Sequence, residues 1–284
     1  MNTVVYDSRV ERHVWRILPD MIKTRQLLFD LVWKDLRVRY RYAMMGFLWA
    51  IIEPLAFTLI LTFVFSFVLA DRAVLANADA GPPFAVMLLC GLIFWQYFST
   101  SISTATTSIV TNKNLVKKVR FTREVIPIAT CCMPLVQLAV GFVMLIVAHL
   151  CLGGHIGFSI LYIPVLFGVQ FALVIGISLL LSCGHTYFRD VGNFVNVLLL
   201  FGFYGSPVFY PLELVYSEKV PVWASYAYRV NPMAGLLTAY RQILFEQRFP
   251  ELWLLVWPVF CALIAVCIGT IVFRRHAATM ADQL

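Results

Sequence analysis

The chain has 284 residues, 61% of them hydrophobic, 15% aromatic and only 13% charged, with a mean hydropathy of +0.83. Soluble domains are nearer a quarter charged and under half apolar, so a water-soluble globular fold is excluded. The net charge of +7 is expected to serve anionic lipid and topology rather than nucleic acid. Seven cysteines, an odd number lying almost entirely inside apolar runs, read as small hydrophobes and not as a disulfide framework. No charged region followed by an apolar stretch and a small-residue cleavage site occupies the start, so no secretory signal is expected.

The first 45 residues read as a basic arm. From Leu27 to Arg41, Leu28, Leu31, Val32 and Leu36 share one helical face while Lys34, Arg37 and Arg41 lie on another. That spacing predicts an amphipathic helix lying in the membrane interface, with Asp35 intruding on its apolar side. Residues 46–284 read as a membrane domain. Six apolar runs can cross a bilayer as helices: Gly46–Ala70, Phe84–Val110, Val125–Leu150, Ile160–Cys183, Gly192–Val208 and Leu252–Phe273. Seventeen of the 22 lysines and arginines fall in the arm, the second and fourth connections and the tail. The excess of positive charge places both termini in the cytoplasm.

Within the spans, Glu53-Pro54 puts a carboxylate where it is costly, which requires protein or water as a neighbour. Ser99, Ser103 and Thr107, flanked by Thr100, Thr104 and Ser108, make a hydroxyl face on the second span; Gly168, Ala172 and Gly176 make a small-residue face on the fourth. Both read primarily as helix-packing surfaces. Many of the 23 phenylalanines lie on the first, second and fifth spans. Most are expected against lipid or neighbouring helices. The sharper reading is an aromatic-lined path for sugar rings, with Trp95, Tyr97, Phe98, Phe201, Tyr204, Phe209 and Tyr210 as candidates.

The second connection, Thr111–Phe121, is short, basic and studded with Leu115, Val116, Val119 and Phe121. A solvated loop needs no such residues, whereas a short helix docking on another protein does. Phe209–Glu251 is the largest connection, rich in proline and aromatic rings. Asn231-Pro232 signals a helix start for the run Met233–Phe245, too short to span. Short helices that dip into the outer face and return, closing a path, are expected there.

There is no G-x-x-x-x-G-K-[ST] phosphate loop, no H-E-x-x-H, no cysteine–histidine metal spacing and no G-x-S-x-G elbow. No catalytic, cofactor or metal residue is therefore assigned. A polyprenyl-linked membrane enzyme remains only a distant alternative.

Several blocks together resemble ABC-2-type transport permeases, in particular the bacterial polysaccharide exporters for O-antigen, capsule and teichoic acid. These are Arg39-Tyr-Arg-Tyr-Ala-Met-Met-Gly-Phe-Leu-Trp-Ala-Ile-Ile-Glu-Pro54, Cys90-Gly-Leu-Ile-Phe-Trp95, Asn112-Lys-Asn-Leu-Val-Lys-Lys-Val-Arg-Phe121 with Arg123-Glu-Val-Ile-Pro127, Arg189-Asp-Val-Gly192, Ser206-Pro-Val-Phe-Tyr-Pro211 and Val230-Asn-Pro-Met-Ala234. They occur in the family's order; Thr122 departs from an expected proline. The resemblance implies an all-α, six-span homodimeric permease of the bacterial cytoplasmic (inner) membrane. It would pair with two separate ATPase subunits, which would hold ATP and Mg, to export lipid-linked polysaccharide. It further implies that Asn114, Leu115, Val116, Lys117, Lys118, Arg120 and Phe121 touch the ATPase, with Arg189 and Asp190 as a second contact. Arg37, Arg39 and Arg41, at the junction of arm and first span, are expected to receive a lipid phosphate, since guanidinium groups bind phosphate oxygens bidentately. A drug or lipid substrate is the nearer alternative.

Overall fold

The computed structural model describes residues 25–41, 48–64, 84–118, 121–212, 221–277, 279–281 and 283. All regular structure among them is helical. The arm forms α1 (Arg25–Arg41), and α2 (Trp49–Phe63) follows with Pro54 inside it. Then come α3 (Phe84–Thr111), the short α4 (Lys113–Lys118), α5 (Val125–Cys132), α6 (Pro134–Cys151) and α7 (Ile163–Tyr187), the last entered through a 3-10 turn at Phe158–Tyr162. Helices α8 (Val191–Tyr204), α9 (Val222–Val230), α10 (Pro232–Leu244) and α11 (Leu252–His276) complete the bundle, with a last 3-10 turn at Thr279–Ala281.

Among the described residues, four stretches are long and apolar enough to cross a bilayer: Phe84–Thr111, Val125–Cys151, Phe158–Tyr187 and Leu252–His276. They match four of the six expected spans. The other two are shorter over the described residues. Helix α2 has 15 residues and α8 has 14, which is about 21–23 Å at 1.5 Å per residue against a hydrocarbon core of about 30 Å. Residues 46–47 and 65–70 of the first expected span lie outside the described residues. Helix α8 makes its last helical bond from the Gly205 N–H to the Phe201 carbonyl at 2.8 Å, and Pro207, with no N–H to extend the ladder, follows two residues on, so the run expected to Val208 stops at Tyr204.

Helix α3 is the axis of the bundle, packing on α2, α5, α6, α7, α8 and α10. The longest helix pairing is α7 with α11, and glycine makes it close. A Cβ on Gly269 would collide with the Gly176 carbonyl, and one on Gly176 with the Ala265–Val266 backbone. Gly168, expected on the same packing face, has nothing within 4 Å of its Cβ position.

Two large clusters form most of the core of the described residues, beside a small one of Leu212 and Leu254. The larger surrounds α3 and includes Phe94, Leu173, Leu236 and Tyr240. The smaller sits at the end of the bundle that carries α1, α4 and the final 3-10 turn. There Leu31, Ile109, Val116, Ile126, Phe273 and Met280 pack together. Helix α1 thus seats part of its apolar face, Leu27, Leu28, Leu31 and Val32, on protein, notably α5. Phe29 and Trp33 remain exposed, stacked with centroids 6.3 Å apart. All seven cysteines are free.

Candidate functional site

At the α4 end, Lys113, Asn114 and Lys117 are exposed while Leu115 is half-buried and Val116 is 3% exposed. Val116 belongs to the protein's own core, so the expectation that it anchors a partner is corrected: it fastens α4 to the bundle. Half-buried Leu115 and Phe121 pack against that core too. Lys34 of α1 donates to Asn112 at 2.9 Å, tying arm to connection. Arg120 lies outside the described residues, as does the Lys118 side chain. Arg189 and Asp190 are both exposed at the same end, just before α8. Arg37 is exposed with its guanidinium 5.8 Å from the Trp33 ring; Arg39 and Arg41 belong to α1, and their side chains lie outside the described residues.

At the other end, α10 begins as its sequence dictates. Asn231 caps it, its side chain accepting from the Met233 N–H at 3.0 Å, with Pro232 in the first turn. The Asn231 amide also donates to the Gly205 carbonyl at 3.1 Å and the Ser206 hydroxyl at 2.8 Å. One end of α10 thereby grips the turn after α8. Arg241 grips it from the other end, donating to the carbonyls of Tyr210 at 2.8 Å and Val208 at 2.6 Å while only 6% exposed. Gly91 of α3 leaves room for the Val208 carbonyl, with which a Cβ would collide. Arg241 is one of the five basic residues that fall outside the arm, the second and fourth connections and the tail. The available signal was a lone cation within an apolar run of helical length, which requires fixed acceptors when buried. Tyr210 donates to the Tyr204 carbonyl at 3.0 Å and contacts the Tyr228 hydroxyl. Burial pushes its phenol pKa up, and the Tyr228 hydroxyl adds to the shift.

The seven candidate aromatics separate. Trp95, Tyr97 and Phe98 are 6%, 2% and 8% exposed, built into the core around α3. They cannot form the open wall of a path, because they stand on the faces of α3 that its neighbours cover. Phe201 and Tyr204 on α8 are 70% and 62% exposed. Phe209 and Tyr210 are half-buried, with Phe209 edge-on to Tyr204 at 6.1 Å and to Tyr210 at 5.0 Å.

Glu53 accepts from Gln96 of α3 at 2.9 Å and from Gln137 of α6 at 3.3 Å. Ser103 donates to Asn196 of α8 at 2.7 Å. Among the described residues no three histidine, cysteine, aspartate or glutamate side chains gather as a metal site.

A family model described as ABC-2 type transporter matches residues 26–245. The chain belongs to the ABC-2 type transporter family, and with its four long apolar helices it is a membrane protein. It is similar to proteins called O-antigen export system permease protein RfbA. One from Myxococcus xanthus is 28% identical over 236 residues, 83% of this chain and 86% of that one. Two from Klebsiella pneumoniae are 27% identical over 262 residues (90% and 96%) and 30% identical over 221 residues (76% and 80%).

Proposed function

We propose that this chain is the permease subunit of an ABC transporter exporting an O-antigen-like, lipid-linked polysaccharide across the bacterial inner membrane. The observation that carries this reading is likeness over 76–90% of the chain to three proteins named for O-antigen export. Two copies of the chain form the permease, and two ATPase subunits, holding ATP and Mg, drive it. Helices α2 and α8 join the four long helices as the remaining spans, and both termini are cytoplasmic. The concentration of basic residues in α1, α4, the Arg189 loop and the tail supports that orientation.

Helix α4 is the ATPase contact, presenting Lys113, Asn114 and Lys117 while Val116 holds it to the bundle. The Arg189–Asp190 loop is the second contact. Arg37, Arg39 and Arg41 receive the lipid phosphate. Helices α9 and α10 are re-entrant elements of an outer gate, and Phe201, Tyr204, Phe209 and Tyr210 are its aromatic surface. The short lengths of α9 and α10 and the deep burial of α10 support this.

The test is removal of the gene from a producing host. Surface polysaccharide disappears while lipid-linked chains accumulate inside, and display returns only when this chain is supplied together with an active ATPase subunit. Undiminished surface polysaccharide after removal would exclude the reading.

A further inference from the structure

Between Gly91 and Ile109, α3 is buried at every position except six: Gln96, Ser99, Thr100, Ser103, Thr104 and Thr107 are half-exposed. All six are polar, and spacings of three, four and seven put them on one stripe of the helix. The stripe runs for about 16 Å at 1.5 Å per residue. Its flanks are also polar: Glu53 of α2 bonds Gln96, and Asn196 of α8 bonds Ser103. Both flanking side chains are exposed on the protomer.

Depth makes this informative. Gln96 is twelve residues from the start of α3 and fifteen from its end, about 18 Å and 22 Å. Glu53, although close to the start of α2, is therefore held at mid-membrane. A carboxylate at that depth does not face hydrocarbon; it faces protein or a water-filled space. The hydroxyls of Ser99, Thr104 and Thr107 donate back to carbonyls of their own helix and so present acceptor lone pairs outward. The Glu53 carboxylate has acceptor capacity beyond its two amide donors. One turn along α2 from Glu53, on the same face, stands Phe57, 47% exposed and edge-on to Phe203 of α8 at 6.2 Å.

We propose that this stripe, bordered by Glu53 and Asn196, is the hydrogen-bonding wall along which the exported glycan slides, and that Glu53 makes it selective for hydroxyl-rich sugar chains over polyanionic polymers. Acceptors outnumber donors on the wall, which suits sugar hydroxyls as donors. A ring such as Phe57 offers a face for the apolar side of a sugar. A phosphodiester backbone passing Glu53 meets a like charge in a medium that screens it poorly. Many weak, similar acceptors hold a chain without arresting it. The inference rests on the permease reading above.

The test uses the full transporter in cells whose polysaccharide synthesis can be switched on or off. Glu53→Cys, Thr104→Cys and, as a control on the exposed outer face of α11, Leu263→Cys are treated with a positively charged, water-borne methanethiosulfonate. Labelling is read above that of the unsubstituted chain. The first two variants react and Leu263→Cys does not; reaction slows several-fold when glycan is being made. Separately, Glu53→Gln lowers surface display of a neutral glycan about tenfold, as expected for loss of a charge-assisted hydrogen bond, at unchanged protein level and ATPase recovery. Unreactive Glu53→Cys and Thr104→Cys, reaction indifferent to glycan, or full display by Glu53→Gln each overturn the proposal while the permease reading stands. A wild-type chain that displays no polysaccharide overturns both.

Discussion

Glu124 and Arg274, 150 positions apart, meet in a two-pronged ion pair, with Arg274 Nε 2.6 Å from one carboxylate oxygen and Nη2 3.3 Å from the other. The side chains are 9% and 14% exposed. Next to it, Arg123 donates to the Ala277 carbonyl. The segment that follows α4 is therefore clamped to the far end of α11, which in turn lies against α7 through Gly176 and Gly269.

Removing one member of such a pair leaves a buried charge without its partner, which costs about 3–5 kcal/mol. Glu124→Ala and Arg274→Ala are each expected to lower the thermal stability of the detergent-solubilised protein sharply. Arg274→Met combined with Glu124→Gln, which removes both charges, is expected to recover part of the loss. Size-exclusion chromatography after graded heating reads the difference. Equal losses from the single and double changes would mean that the pair matters only as packing.

The α7–α11 contact predicts a contrast between two glycines. Gly269→Ala forces a methyl group into the Gly176 backbone, and overpacking of this kind costs about 1–3 kcal/mol. Gly168→Ala meets open space and gains helix propensity of up to about 1 kcal/mol. The first variant is expected to be less stable than wild type and the second equal or better. A neutral Gly269→Ala would show that the helices separate without cost.

Tyr240 stacks on Phe94 with centroids 3.6 Å apart and donates to Gln170 at 2.9 Å, while Gln170 donates to the Phe94 carbonyl at 2.8 Å. All three residues are fully buried or nearly so. Tyr240→Phe keeps the stack and strips one donor from Gln170, a loss of about 1–3 kcal/mol. Next in sequence, Arg241→Lys exchanges a fork reaching two carbonyls for a single point. It is expected to free the turn over residues 205–210, which limited proteolysis from the α10 side detects as faster cleavage.

The course of most helices was legible in the sequence because hydropathy and punctuation act locally. The four long runs, the amphipathic α1 and the Asn231-Pro232 start of α10 all formed where those signals stand. Facing direction was not legible. Trp95 and Phe201 are equally aromatic, yet α3 is wrapped by its neighbours and α8 is not, so one is core and the other surface. The hydroxyl pattern on α3 was visible, but its meaning depended on which stripe of that helix stays uncovered. Within the six residues of α4, no periodicity decides whether Val116 points in or out; the core formed by Leu31, Ile109 and Phe273 decides it.

That orientation separates two roles within one helix. Val116→Asp places a charge in the small core and is expected to destabilise the whole α4 end, so loss of a partner from this variant would say nothing about contact. Lys113→Glu with Lys117→Glu changes only exposed side chains and leaves that core intact. If α4 meets the ATPase, the double charge reversal reduces recovery of the ATPase subunit in affinity purification several-fold. The defect is expected to be greatest at low salt, because exposed charges act over a Debye length of about 10 Å at 0.1 M and less at higher ionic strength. Protein level and heat resistance of the variant should match wild type. Wild-type recovery of the ATPase at low salt would remove these two lysines from the interface and shift attention to Arg189 and Asp190, exposed at the same end of the bundle.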